Sequence, residues 1–153
     1  MSYTTPAKVT TYAASVGATW PTDSTEQAQA IARASRYLNT LSWQGIRTNG
    51  RDQADQWPRT SVVDSDGYAV DGTAIPREVE EAANLLAIAE AASPGALQPN
   101  VTLDNRVVEE TIGPLSFKYD RASGPGAARE VVLAASDLLR PFLTNTGWTL
   151  TRA

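Results

Sequence analysis

Residues 75–92, IPREVEEAANLLAIAEAA, constrain the fold more than any other stretch of the chain. Ile75-Pro76-Arg77-Glu78 opens a helix there, because proline and acidic side chains are both favoured in a first turn. Ile75, Val79, Ala82, Ala83, Leu86 and Ala89 or Glu90 recur at helical spacing. Leu85 and Ile88 widen that stripe, so the helix has to be covered on more than one side and belongs at the centre of the fold. Ser93-Pro94-Gly95 stops it.

Three further segments supply the cover. Thr5 as a cap, Pro6 in the first turn and Val9, Tyr12, Ala13 and Val16 along one face predict a short helix that ends at Gly17. Trp20, in the connector that follows, is expected to fold back onto the core. Asp23 with Glu26 forms a capping box ahead of a helix whose stripe is Ala28, Ile31, Ala34 or Ser35, Leu38 and Leu41. The last helix, AAREVVLAASDLLRPFL, carries Val131, Ala135, Leu138 and Phe142 on one face, with Val132, Leu139 and Leu143 beside it. Pro141 bends or ends that helix.

Elsewhere the helical period fails. Residues 42–73 form a long connection dense in Trp, Gly, Asp and Arg, and connections of this length are functional or are pinned by their own side chains. Trp43 and Trp57, with Pro58 and Arg59, are the expected anchors. Val108, Glu110 and Ile112, then Leu115, Phe117 and Tyr119, alternate about Gly113-Pro114, which reads as two short strands or extended arms around a turn. At the end, Trp148 and Leu150 alternate with threonines behind Gly147. Such a tail either packs on its own domain or serves a partner. The expected fold is mainly α: a four-helix, bundle-like domain over residues 1–144, with an extended arm or hairpin at 101–120 and a C-terminal tail at 145–153.

Composition narrows the chemistry. At 153 residues, with 42% apolar and 20% charged side chains, the chain suits one globular domain. It holds no His and no Cys, which removes the usual zinc sites, the Ser-His-Asp triad, the Cys-His pair and any disulfide. Catalysis would have to rest on carboxylates, Lys, Tyr or a hard metal, and no constellation of that kind stands out. Composition thus counts against an enzyme without excluding one. Lys+Arg total 13 against 17 Asp+Glu, a net charge of −4, and the arginines are dispersed, which opposes affinity based on neutralising phosphates. No apolar run approaches the roughly 20 residues that span a bilayer, and MSYTTPAKVTTY is not a signal peptide, so a soluble protein without a membrane partner is expected.

The stretch WPRTSVVDSDGYAVDG, residues 57–72, sets three aspartates in eight residues around a glycine. As a calcium loop it fails on spacing: counting from Asp64, Tyr68, Ala69 and Ile75 fall where ligands or glycine are needed. Asp64-Ser-Asp66-Gly67 reads instead as a tight turn. Glu80-Glu81 and Glu109-Glu110 are paired only in sequence, and neighbours on a helix diverge by about 100°, so a solvated face is the better reading of the first pair. Ser61, Ser116 and Ser136 have no histidine base. Gly124-Pro125-Gly126 lacks the lysine and spacing of a phosphate cradle and reads as a linker. Trp43, Arg47, Arg51, Trp57 and Arg59 do combine aromatics with cations, as single-stranded-DNA binding requires. The competing reading makes the tryptophans core anchors and lets the arginines cap carbonyls or pair with Asp52 and Asp55.

One ordered series of motifs runs through these segments: Tyr37-Leu38-Asn39, Trp43-Gln44-Gly45, Gln56-Trp57-Pro58-Arg59-Thr60, Asp64-Ser65-Asp66-Gly67 and Ile75-Pro76-Arg77-Glu78-Val79-Glu80-Glu81-Ala82. Ile112-Gly113-Pro114-Leu115, Tyr119 and Leu138-Leu139-Arg140-Pro141-Phe142-Leu143 continue it. From about Tyr12 onward the chain resembles the head–tail connector (adaptor, or head-completion) proteins of tailed bacteriophages, some of which are catalogued as DnaT-like single-stranded-DNA-binding proteins. The resemblance implies a non-enzymatic, mainly helical virion subunit that needs no cofactor and no metal, assembled in the host cytoplasm into a dodecameric ring between the portal and the neck or tail. Its implied partners are the portal protein, neighbouring copies of itself and the next neck, stopper or tail protein, with DNA only passing through the channel. Portal contact is then expected at Asn145, Gly147, Trp148, Leu150 and Arg152, and subunit or next-ring contact at Val108, Ile112, Leu115 and Phe117. The alternative function is a single-stranded-DNA-binding replication accessory that uses Trp43, Trp57 and the nearby arginines.

Overall fold

A computed structural model describes residues 2–97, 109–112, 115–118 and 126–144. Four helices dominate: α1 (Pro6–Val16), α2 (Ser24–Asn39), α3 (Arg77–Ala92) and α4 (Gly126–Leu139), the last continued by a 3₁₀ turn, Arg140–Phe142. The ends follow local chemistry. The Thr5 side chain accepts from the Lys8 amide, and Gly17 closes α1 at φ 67°. The Asp23 carboxylate accepts from the amides of Thr25 and Glu26 and so caps α2. Pro76 stands at the N-cap of α3, and Pro141 falls inside the 3₁₀ turn that ends α4.

Helix α3 packs against α1, α2 and α4, which makes it the central element the sequence demands. Val79, Ala82, Ala83, Leu86 and Ala87 are buried along it. Facing them are Val9 and Ala13 of α1, Ile31, Ala34 and Leu38 of α2, and Ala135 and Leu139 of α4. The α2 stripe holds at Ile31, Ala34 and Leu38, and differs only at its start, where Ala30 is fully buried and Ala28 is exposed. Val16, expected on the inner face of α1, is 53% exposed because the helix ends there and its last turn overhangs the core.

The connection between α2 and α3 is short-stranded and tied to the core. Strand β1 (Ile46–Arg47) pairs antiparallel with β2 (Arg59–Thr60). Beyond β2, Val63 bridges Ala69, and the Val70 amide donates to the Val62 carbonyl at 2.9 Å, forming a small hairpin. Gly45 lies so close to this layer that a Cβ there would stand 2.1 Å from the Thr60 carbonyl oxygen, and its φ is +67°, so glycine is required.

A second sheet, β3 (Glu109–Ile112) with β4 (Leu115–Lys118), is the expected arm. Its register, Glu110 opposite Phe117 and Ile112 opposite Leu115, sets Ile112, Leu115 and Phe117 at positions of one face. Among the described residues β3 and β4 contact each other and no other element. Val108 and the tail positions Asn145, Gly147, Trp148, Leu150 and Arg152 lie outside the described residues.

Candidate nucleic-acid interface

The aromatic and cationic residues that sequence groups together, Trp43, Arg47, Arg51, Trp57 and Arg59, do converge, but mainly inward. Trp43 is 6% exposed and Trp57 is fully buried. Their rings meet edge-on with centroids 5.7 Å apart, and Trp57 meets Phe142 in the same way at 5.8 Å. The Trp43 indole N–H donates to the Leu38 carbonyl at 3.0 Å, and Trp43 bridges Leu143 through its backbone. Stacking of DNA bases on Trp43 and Trp57 is therefore corrected: both ring faces are already covered by core side chains.

Arg59 is buried beside them and carries the polar frame of this layer. Its Nε donates to the Gln44 carbonyl at 2.6 Å and its Nη2 to the Gly45 carbonyl at 2.7 Å. Its Nη1 donates to the Gln56 carbonyl at 3.1 Å and to Gln56 Oε1 at 2.8 Å. Burial and the neighbouring Arg47 lower the Arg59 pKa from its ordinary value, opposed by Tyr3. A guanidinium spent on four protein oxygens has little left for a phosphate.

Arg47 and Arg51 are different. Arg47 is half-buried and donates to the Gln53 carbonyl at 3.0 Å, while Arg51 is exposed in the 3₁₀ turn Gly50–Asp52. Neither has a carboxylate within ion-pair distance among the described residues, whereas Lys8 pairs with Glu80, Arg33 with Glu90 and Arg140 with Asp137. Ile46, next to Arg47, is 68% exposed.

The aspartate stretch folds as the tight turn its spacing suggests. Asp64 Oδ1 accepts from the amides of Asp66 at 2.9 Å and Tyr68 at 2.8 Å, and Gly67 adopts φ 86°. Asp71 is held below the usual carboxylate range by the Thr73 hydroxyl and amide. No group of three metal-ligating side chains forms among the described residues. Tyr68, 72% exposed at this tip, stands in a segment carrying Asp64, Asp66 and Asp71, a charge setting that repels phosphate.

The remaining candidates are structural in geometry. Glu80 pairs with Lys8, and Glu81 raises the Tyr12 pKa, after burial, by charge and hydrogen bonding. Tyr12, Arg77, Glu80, Glu81 and Asn84 line an open cleft of about 190 Å³, below the roughly 300 Å³ at which small-molecule sites begin. Ser136 donates back to the Val132 carbonyl within its helix, and Ser61 sits exposed at φ 59°. Two buried polar groups escape sequence reasoning, Tyr3 and Asn84, whereas Glu90, which the inner stripe admits, is buried as well. Tyr3 donates to Asn39 Oδ1 at 2.6 Å and accepts from the Gln56 amide at 3.0 Å. Thr4 donates to Asn84 Oδ1 at 2.5 Å. No local pattern signals these pairs, because their partners are distant in sequence.

No curated protein and no solved structure matches the chain. One family model does, across residues 1–153, and its description reads "Putative DnaT-like ssDNA binding protein". With the match running the whole length of the sequence, the chain belongs to this DnaT-like single-stranded-DNA-binding protein family.

Proposed function

We propose that the chain is a non-catalytic module that binds single-stranded DNA. The observation that carries this reading is membership, over residues 1–153, of a family described by that activity. The surface best suited to it is the exposed turn of β1 and the residues after it, where Arg47 and Arg51 offer charge to the backbone and Ile46 offers apolar contact to a base. With a net charge of −4, binding rests on this local pair of cations, so it is weak and its salt dependence is that of about two phosphate contacts. Anisotropy of a labelled oligothymidylate is the test. Binding at low salt, with Arg47→Ala and Arg51→Ala each lowering the salt slope by about 1, supports the reading; no rise at low salt rejects it.

A second reading is the head–tail connector subunit that the ordered motifs resemble. It is supported by the β3–β4 hairpin, which carries Ile112, Leu115 and Phe117 at positions of one face and contacts no other described element. An isolated two-stranded hairpin is marginal in water, so a partner that covers it would stabilise it. In this reading Val108, Ile112, Leu115 and Phe117 meet a neighbouring copy or the next ring, and residues 145–153 dock on the portal. Electron microscopy with and without portal protein tests it: rings, and loss of portal binding on deleting residues 145–153 from an otherwise folded chain, are the expected results.

A further inference from the structure

We propose that Glu90 is a latch that lets residues 93–97 open and close as a local unit while the helical core stays folded. Glu90 lies on the buried side of α3 and is 1% exposed. Its Oε2 accepts from the Gly95 amide at 2.8 Å and its Oε1 from the Leu97 amide at 3.0 Å. Arg33 Nε, from α2, stands 2.9 Å from the same Oε2, off the line of a hydrogen bond but within ion-pair distance. One carboxylate thus joins two helices and a loop.

The loop has few other ties among the described residues. The Ser93 amide donates to the Ala89 carbonyl at 2.9 Å, the Ala96 amide donates to the Ser93 carbonyl at 3.1 Å, and Leu97 is buried. Ser93 and Pro94 are exposed, and a Cβ placed on Gly95 would meet nothing within 4 Å. Leu97 is therefore the segment's one anchor in the core, while Ser93, Pro94 and the Cβ side of Gly95 are open. The Gly95 and Leu97 amides share one buried carboxylate, so their two hydrogen bonds are gained and lost together. Opening leaves Glu90 with Arg33, whose side chain is one-third exposed and can follow it toward water. The β3–β4 hairpin follows this loop in chain order, and the latch does not depend on either functional reading.

Residue-resolved amide hydrogen exchange on the full chain tests the latch. In the wild-type protein, Gly95 and Leu97 should exchange at a common rate, faster than Leu86 in the middle of α3. Glu90→Gln replaces one acceptor by a donor and should speed both loop amides by about tenfold or more while leaving Leu86 unchanged. Arg33→Gln, at a partly exposed position, should give the same selective effect and serves if the first variant does not fold. The proposal is overturned if Gly95 and Leu97 exchange at the Leu86 rate in the wild type. It is overturned equally if the variants leave the loop rates unchanged, or if they speed Leu86 as much as the loop.

Discussion

The Trp57 indole stands edge-on to the Phe142 ring, centroids 5.8 Å apart and planes at 88°, and so ties the long α2–α3 connection to the end of α4. This contact turns four helices and an irregular excursion into one core. Truncating either ring leaves a cavity that both segments line, so Phe142→Ala and Trp57→Ala should each cost about 3–5 kcal/mol in urea unfolding. The Trp57 N–H has no acceptor among the described residues, so Trp57→Phe loses only ring area and should cost clearly less than Trp57→Ala. Equal losses for Phe and Ala at position 57 would show that the ring contact matters little.

Arg59 is a separate test of the same layer. Lysine keeps the charge but cannot reach the carbonyls of Gln44, Gly45 and Gln56 at once. Arg59→Lys should therefore destabilise the fold by on the order of 2–3 kcal/mol, because buried carbonyls lose charged donors. A shift within error of zero in the denaturation midpoint would contradict the role given to this guanidinium.

Much of the fold is legible in the sequence, and the reason is locality. Thr5, Gly17, Asp23 and Pro141 act within a turn of themselves, so each predicts a helix end that the structure has. The strand pair about Gly113-Pro114 is readable from alternation alone. What the sequence leaves open depends on distant partners. Position 90 could equally face solvent or the core on periodicity alone, and it is Arg33 and two loop amides that neutralise it inside. Trp43, Trp57 and Arg59 make a plausible DNA-stacking cluster in one dimension, and only Phe142, from the far end of the chain, decides that they are core. Arg47 and Arg51 gain interest by contrast with Lys8 and Arg33, whose carboxylate partners are distant in the chain, and with Arg140, which pairs with Asp137 three residues before it.

The buried Tyr3 phenol makes alkaline stability a prediction with a definite sign. Burial, offset in part by the Gln56 amide, raises its pKa above the ordinary value near 10. The neutral phenol thus favours the folded state, and its contribution is fully present below about pH 10 and lost as pH rises above it. Thermal midpoints should fall above pH 10 in the wild type and fall less steeply in Tyr3→Phe. The variant should also start lower, having lost the bond to Asn39 Oδ1. Parallel pH profiles would place the alkaline sensitivity elsewhere.

The most direct measurement combines ligand binding with the buried tryptophans. Of the four tryptophans, Trp20→Phe and Trp148→Phe together leave Trp43 and Trp57 as the only indole reporters. Titrated with labelled oligothymidylate, this variant should raise the oligonucleotide anisotropy at about 50 mM salt and bind about tenfold more weakly at about 200 mM. Throughout, the Trp43 and Trp57 emission should stay constant, because both rings are enclosed in the core. Absence of binding at low salt would contradict the single-stranded-DNA reading and favour the ring subunit, while quenching that tracks binding would contradict the enclosed position of the two rings.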